Sequence, residues 1–127
     1  MKNLFFLLLC SMIIAISACG DEDCEPGQLE TNIVGEWNVT LSGLTFATVE
    51  FRANGDFIDQ SGYLVPDTIL GFPVESKTYS IPSDTIITLT AGTLVGPLDY
   101  NVDVLSYTCD DVTVNVQGTE YILKREE

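Results

Sequence analysis

Nineteen carboxylates stand against five lysines and arginines in this 127-residue chain, and there is no histidine. Without an imidazole, the usual general base at neutral pH and the commonest metal ligand are both missing. Ser-His-Asp triads, Cys-His dyads and most zinc sites therefore cannot be assembled. Paired carboxylates could still do acid–base work. However, Asp110 and Asp111 are sequence neighbours that would project to different sides of an extended strand, and no spacing singles out another pair. Lys77 lies near Ser76 and Ser80, as a Ser-Lys pair would need, but a lone lysine among polar strand residues reads as an exposed charge. Asp21, Glu22 and Asp23 offer oxygens to calcium without the alternating ligand spacing of an ordered loop. The carboxylates thus read as solvated surface. No catalytic residue, metal ligand or cofactor is assigned, and the chain reads as a non-enzyme. A net charge of −14 is also hostile to phosphate backbones, so nucleic acid is not an expected partner.

The cysteines carry a more specific chemistry. Lys2 precedes an apolar run from Leu4 to Ala18, interrupted only by Cys10, Ser11 and Ser17. A run of this length falls short of the ~20 residues that cross a bilayer, and it reads as the apolar region of an export signal. Its end, Ile16-Ser17-Ala18-Cys19, resembles the lipobox of bacterial lipoproteins. The resemblance implies removal of residues 1–18 and acylation of Cys19, which anchors the chain to a membrane. More than one acyl chain, at ~0.8 kcal/mol per buried methylene, makes that attachment stable. All 19 carboxylates lie beyond the leader and only Lys2 leaves with it, so the processed chain carries −15. Residues 19–29 then read as a flexible acidic tether. The acidic run after Cys19 resembles the signal with which Bacteroidetes place lipoproteins on the outer face of the outer membrane. Either face of that membrane is the expected location. With Cys10 removed and Cys19 acylated, Cys24 and Cys109 remain as an even pair in an oxidising compartment, and a Cys24–Cys109 disulfide is expected. Closing 84 intervening residues restricts the unfolded chain by about 4 to 5 kcal/mol in the loop-entropy account.

Positioning these groups falls to strands. From residue 30 to residue 127, a length that suits one domain, helical periodicity is almost absent and period-2 alternation recurs between turn signals. Trp37, Val39 and Leu41 share a face, as do Val49 and Phe51, Ile87 and Leu89, Tyr100, Val102 and Val104, and Val112, Val114 and Val116. Asn54-Gly55 is a strong hairpin signal between two such runs, and Gln117-Gly118 is a turn before the last strand. With one more strand allowed within Ser61 to Val74, the pattern predicts an all-β fold of about eight short antiparallel strands. One-sided alternation in up-and-down order favours a closed barrel with no unpaired edge.

Gly35-Glu36-Trp37, the hairpin from Val49 to Phe57, and Tyr121-Ile122-Leu123-Lys124-Arg125 resemble the lipocalin-like domains common in Bacteroidetes lipoproteins. In that family a Gly-x-Trp opens the first strand, and an arginine near the end of the last strand crosses the tryptophan ring. The resemblance therefore assigns barrel closure to Gly35, Trp37 and Arg125. Independently, Arg125 shares the parity of Tyr121 and Leu123, which aims it inward.

Binding is expected at apolar connections. Leu64 to Val74 is nearly uncharged, and Leu94-Val95-Gly96-Pro97-Leu98 has the same character. Leu70, Phe72, Val95 and Leu98 either form an apolar rim at one barrel mouth or fold inward as a plug. The expected function is binding of a small apolar or amphipathic ligand in or at the mouth of the barrel. The alternative is a protein-interaction module, an accessory subunit or inhibitor of an envelope protein, that uses the same loops.

Overall fold

The computed structural model describes residues 28–126. Cys19, Cys24 and the tether up to residue 27 lie outside the described residues. A single helical turn, α1 (Leu29–Asn32), leads into β1 (Gly35–Leu41) and β2 (Leu44–Phe51). Beyond the Asn54-Gly55 turn come β3 (Phe57–Ile58) and the short pair β4 (Thr68–Ile69) and β5 (Phe72–Pro73). The chain finishes as a meander of β6 (Ser76–Ser83), β7 (Ile86–Thr93), β8 (Gly96–Tyr107), β9 (Asp111–Val116) and β10 (Thr119–Arg125). Eight strands form one antiparallel sheet in the order β3-β2-β1-β10-β9-β8-β7-β6. The fold is the expected all-β, up-and-down, lipocalin-like barrel, curled until it is nearly closed.

Alternation explains the core. Trp37 and Val39 of β1, Ala47, Val49 and Phe51 of β2, and Ile87, Leu89 and Ala91 of β7 are buried. So are Val102 and Val104 of β8, Val112 and Val114 of β9, and Leu123 of β10. Each fully buried side chain of this kind contributes about 1.5 to 3 kcal/mol, and together they fill the interior. Three connections, Ser42-Gly43, Leu70-Gly71 and Gln117-Gly118, have positive φ at both central residues. That twist matches the right-handed twist of the flanking strands.

Closure differs from expectation in one place. β3 and β6 face each other across a seam held by the single bridge Asp56↔Thr78 and by the Tyr79 N–H donating to the Gly55 carbonyl at 2.9 Å. The Tyr79 hydroxyl adds a bond to the Arg52 carbonyl at 2.7 Å. The strand expected within Ser61 to Val74 does not fill this gap. It folds as the separate β4–β5 ribbon instead, because Pro66 and Pro73 have no N–H to give a wall ladder and Gly62 and Gly71 turn the chain.

At the opposite end from these loops the barrel floor is built on the first and last strands. Trp37 lies opposite Arg125 in the β1–β10 register, and the Arg125 guanidinium sits 4.2 Å from the centre of the indole ring. The same guanidinium donates to the carbonyls of Cys109 (3.0 Å), Val34 (3.3 Å) and Asn32 (2.6 Å). Trp37 Nε1 donates to the Ile33 carbonyl at 2.7 Å. Gly35 has φ +134°, and a Cβ there would lie 3.0 Å from an Arg125 nitrogen. The closing residues thus require both the conformation and the space that only glycine allows.

The helical turn was not legible, since four residues leave no periodicity. Leu29, which reads as tether, is fully buried beside Ile33 and belongs to the domain. Replacing Arg125 with lysine keeps the charge but removes the fork that serves three carbonyls at once. It should destabilise the fold by about 2 kcal/mol in urea unfolding, whereas a loss below ~0.5 kcal/mol would show that the floor does not depend on it.

Candidate functional site

The open end of the barrel is organised by one buried carboxylate. Asp59, just past β3, accepts four hydrogen bonds: from the Ser61 hydroxyl (2.9 Å) and from the N–H groups of Tyr63 (3.2 Å), Leu64 (2.8 Å) and Val65 (2.9 Å). These bonds curl the following loop over the barrel and drive Val65 into the core, where it is fully buried. Lys77 secures the loop from β6, with its ammonium donating to the Asp59 carbonyl at 2.8 Å and to the Asp67 carboxylate at 2.6 Å. The lysine side chain is only 12% exposed. It is therefore not the exposed charge that its polar neighbours suggest. Its position matches Ala91 across β7, and that residue faces inward.

Between this loop and the upper ends of β8, β9 and β10 lies a cavity of about 540 Å³. The buried Leu89 and Val102 close it below, Leu64 and Pro66 cover one side, and Val116 lies opposite. Tyr63, Tyr100 and Tyr121 supply aromatic rings, while Asp99, Asn101, Gln117 and Thr119 supply polar atoms. The tyrosines belong to a larger aromatic group: Phe46 stacks on Tyr63 at 5.6 Å between ring centres, and Tyr121 meets Tyr63 edge-on at 5.8 Å. The hydrogen bond with the Tyr121 hydroxyl holds the Tyr63 phenol above its ordinary value near 10, with burial and the neighbouring phenolate charge adding in the same direction. A wider cleft of about 850 Å³ follows the seam between α1, the Asn54-Gly55 turn and the lower half of β6, but it is more open to solvent.

The residues singled out as a rim or plug separate into two behaviours. Leu64 and Val65 turn inward and complete the core, as a plug does. Leu70 and Phe72 stay outside on the β4–β5 ribbon, 89% and 40% exposed, and Val95 at the β7–β8 turn is 67% exposed. Leu98 shares the inward parity of Tyr100 and pairs with Ala91, so it sits at the lip, 36% exposed. None of these four lines the 540 Å³ cavity. Cys109 stands in the β8–β9 turn at the floor, where its carbonyl accepts from Arg125.

Sequence reasoning missed Asp59 and Lys77 as the supports of the mouth, and it did not gather the three tyrosines. A signal existed for the first: Asp-Gln-Ser-Gly at 59–62 is a side-chain-capped turn motif. The tyrosines come from a loop and two strands, so only the closed sheet brings them together.

Since the Tyr63 phenol is favoured as the neutral form in the fold, its contribution to stability is present below pH ~10 and is lost as pH rises through the folded value. Tyr121→Phe should lower the Tyr63 titration midpoint toward 10 when followed by NMR of carbon-labelled tyrosine; an unchanged midpoint would show that the two hydroxyls do not communicate. Comparison of the chain with known protein families, with curated proteins and with solved structures gives no match.

Proposed function

We propose that this protein is a lipid-anchored binding module of the bacterial outer membrane that holds a small amphipathic molecule at the mouth of its barrel. The observation that carries this reading is a cavity of about 540 Å³ set above a packed interior. Its size falls within the ~300 to 1,000 Å³ range of small-molecule sites, and its lining joins apolar and aromatic walls to a few polar groups. The interior itself is filled by the buried valines, leucines, Trp37 and Phe51, so the ligand sits on the core rather than within it. Binding rather than catalysis is the function we assign. The lipocalin-like relationship belongs to the same proposal, supported by the Trp37–Arg125 contact and the meander order.

A protein-interaction role is the second reading, favoured by the exposure of Leu70 and Val95 at two hairpin tips. Phe72→Asp separates the two. It lies outside the cavity on an exposed ribbon, so it should leave ligand binding intact and stability within ~0.5 kcal/mol. Val116→Trp, which fills the cavity, should remove the bound molecule. Solvent extraction and mass spectrometry of the purified chain read both variants. A ligand lost with Phe72→Asp but retained with Val116→Trp would overturn the cavity assignment.

Cys19 as the acylated residue and Cys24–Cys109 as a disulfide complete the proposal. The pairing would tie the tether to the floor beside Arg125, whose guanidinium holds the turn that carries Cys109. The intact mass of the protein from a lipoprotein-processing host should lack residues 1–18, carry acyl chains, and be two hydrogens lighter than its reduced form. A retained leader would overturn the anchor, and two alkylatable thiols the disulfide.

A further inference from the structure

We propose that the hairpin tips around the mouth form an apolar crown that docks on a lipid surface with neutral or zwitterionic headgroups. This goes beyond ligand binding and does not depend on what the mouth cavity holds. The two ends of the barrel differ in their turns. At the floor, the Asn54-Gly55 turn lies between Arg52 and Asp56, Asp84 stands in the β6–β7 turn, and Asp110 stands in the β8–β9 turn. At the mouth the turns are Ser42-Gly43, Leu70-Gly71, Leu94-Val95 and Gln117-Gly118, and none of them contains a charge. Leu44, Phe46, Leu70, Phe72, Leu94 and Val95 stand exposed on three of these hairpins, with Leu44 66%, Leu70 89% and Leu94 75% in solvent. Leucine at position 70 is the most telling choice. It has φ +52°, a left-handed conformation that is costly for a residue with a Cβ, at a turn position where the other two hairpins of this kind use Ser42 and Gln117. The fold buries nothing there and gains nothing from leucine, so the side chain answers to something outside the fold.

Lipid fits these tips better than a protein partner does. They belong to separate hairpins that project into open space, with nothing within 4 Å of a Cβ built on Gly43 or Gly71. Side chains set apart in this way enter a fluid acyl layer one by one, without a matching shape. A backbone that leaves water must also bring its own hydrogen-bond partners, and the mouth turns do so. The Val95 N–H donates to the Thr93 hydroxyl at 3.3 Å, which donates to the Gly96 carbonyl at 2.9 Å, and the Gly118 N–H donates to the Asn115 side-chain carbonyl at 2.9 Å.

Charge selects the headgroup. Among the described residues the cation at this end, Lys77, is bonded to Asp67 and to the Asp59 carbonyl, while Glu75, Asp99 and Glu120 stand outside the turns. A net charge of −14 repels anionic headgroups, so the surface that fits is neutral or zwitterionic. Gln28 and Leu29 enter at the floor, where their N–H groups meet the Tyr107 hydroxyl at 3.3 Å and the Asp84 carboxylate at 3.2 Å. An acyl anchor at Cys19 would therefore leave from the opposite end, and the crown would meet a second, apposed lipid surface. Only this last statement rests on the proposed anchor.

The test holds the processed, acylated protein in phosphatidylcholine vesicles and gives it one reporter tryptophan, Leu94→Trp at the crown or Thr85→Trp at the floor. The native Trp37 is buried and supplies a constant background. Protein-free vesicles of brominated phosphatidylcholine, which quench a tryptophan that enters their acyl layer, are then added. The Leu94→Trp reporter should lose about half its fluorescence and the Thr85→Trp reporter none. Adding Leu70→Asp to the crown reporter should remove most of the quenching. Leu105→Asp, which places the same charge on an exposed leucine of the β8 wall, should leave it in place, with the urea midpoint reporting that both variants are folded. Replacing about a third of the added lipid with brominated phosphatidylglycerol should weaken the quenching, and a gain instead would overturn the headgroup assignment. Quenching seen only when the brominated lipid is in the anchored vesicle would keep the lipid contact and overturn the second surface. Protein recovered without acyl chains is mixed with brominated vesicles directly, so that failure of the anchor is distinguished from failure of the crown. No quenching in any arrangement, or equal quenching of the two reporters, would overturn lipid docking and leave these tips to a protein partner.

Discussion

Pairing of the first strand with the last is the constraint from which the rest of the structure follows. A meander of antiparallel strands buries one face of each strand, and it excludes water from those faces only if the ends of the sheet curl toward each other. Here β3 and β6 are those ends and meet across the seam, while β1 and β10, the first and last long strands, pair within the sheet, where Arg125 turns a strand pair into a floor. Its charge lies over the Trp37 ring, and its nitrogens serve carbonyls of α1, of the residue before β1 and of the β8–β9 turn. A guanidinium partly withdrawn from water is costly unless its donors are used, and this one meets three carbonyls and an aromatic face. Its partners fall in two segments far apart in sequence, Asn32 to Trp37 and the β8–β9 turn, so one side chain at the end of the last strand fixes their relative placement.

The floor and the mouth use different devices because they close different things. At the floor an arginine reaches outward to carbonyls, whereas at the mouth the Asp59 carboxylate gathers N–H groups from its own loop. The loop could not enter the barrel otherwise, since backbone donors buried without partners cost about 1 to 3 kcal/mol each. Lys77 then ties the loop to β6 through a carbonyl and a carboxylate. With Val65 seated in the core, the interior is sealed below the loop, and the remaining space lies between the loop and the rising ends of β8 to β10. The cavity at the mouth is thus a consequence of how the top is plugged.

Much of the fold was legible because its signals are local. Period-2 alternation placed most of the wall strands, the Asn54-Gly55 and Gln117-Gly118 turns sit where glycine-containing hairpins belong, and the inward parity of Arg125 matches its seat over Trp37. What escaped was set by tertiary context. Four residues of α1 carry no period, and the burial of Leu29 depends on a barrel end that no local pattern describes. The segment from Ser61 to Val74 was apolar enough for either a rim or a plug, and it became both. Asp59 draws its first half inward, while the ribbon that follows turns on Leu70 and Gly71, with Leu70 left in solvent. Lys77 misled because its neighbours are polar, although its position on β6 aims it at the interior.

The electrostatics of the barrel follow from how few cations it has. The first two strands place Glu36 directly opposite Glu50, a repulsive pairing that Arg52 relieves from just past the end of β2, with its Nε 3.2 Å from the Glu50 carboxylate. Lys124 answers Asp111 across β9 and β10 at 3.6 Å, and Lys77 answers Asp67. Each of the four cations among the described residues is therefore committed to a structural contact, and most of the other carboxylates there, the buried Asp59 aside, face water without a cation. Such a surface repels anions at every approach to the barrel.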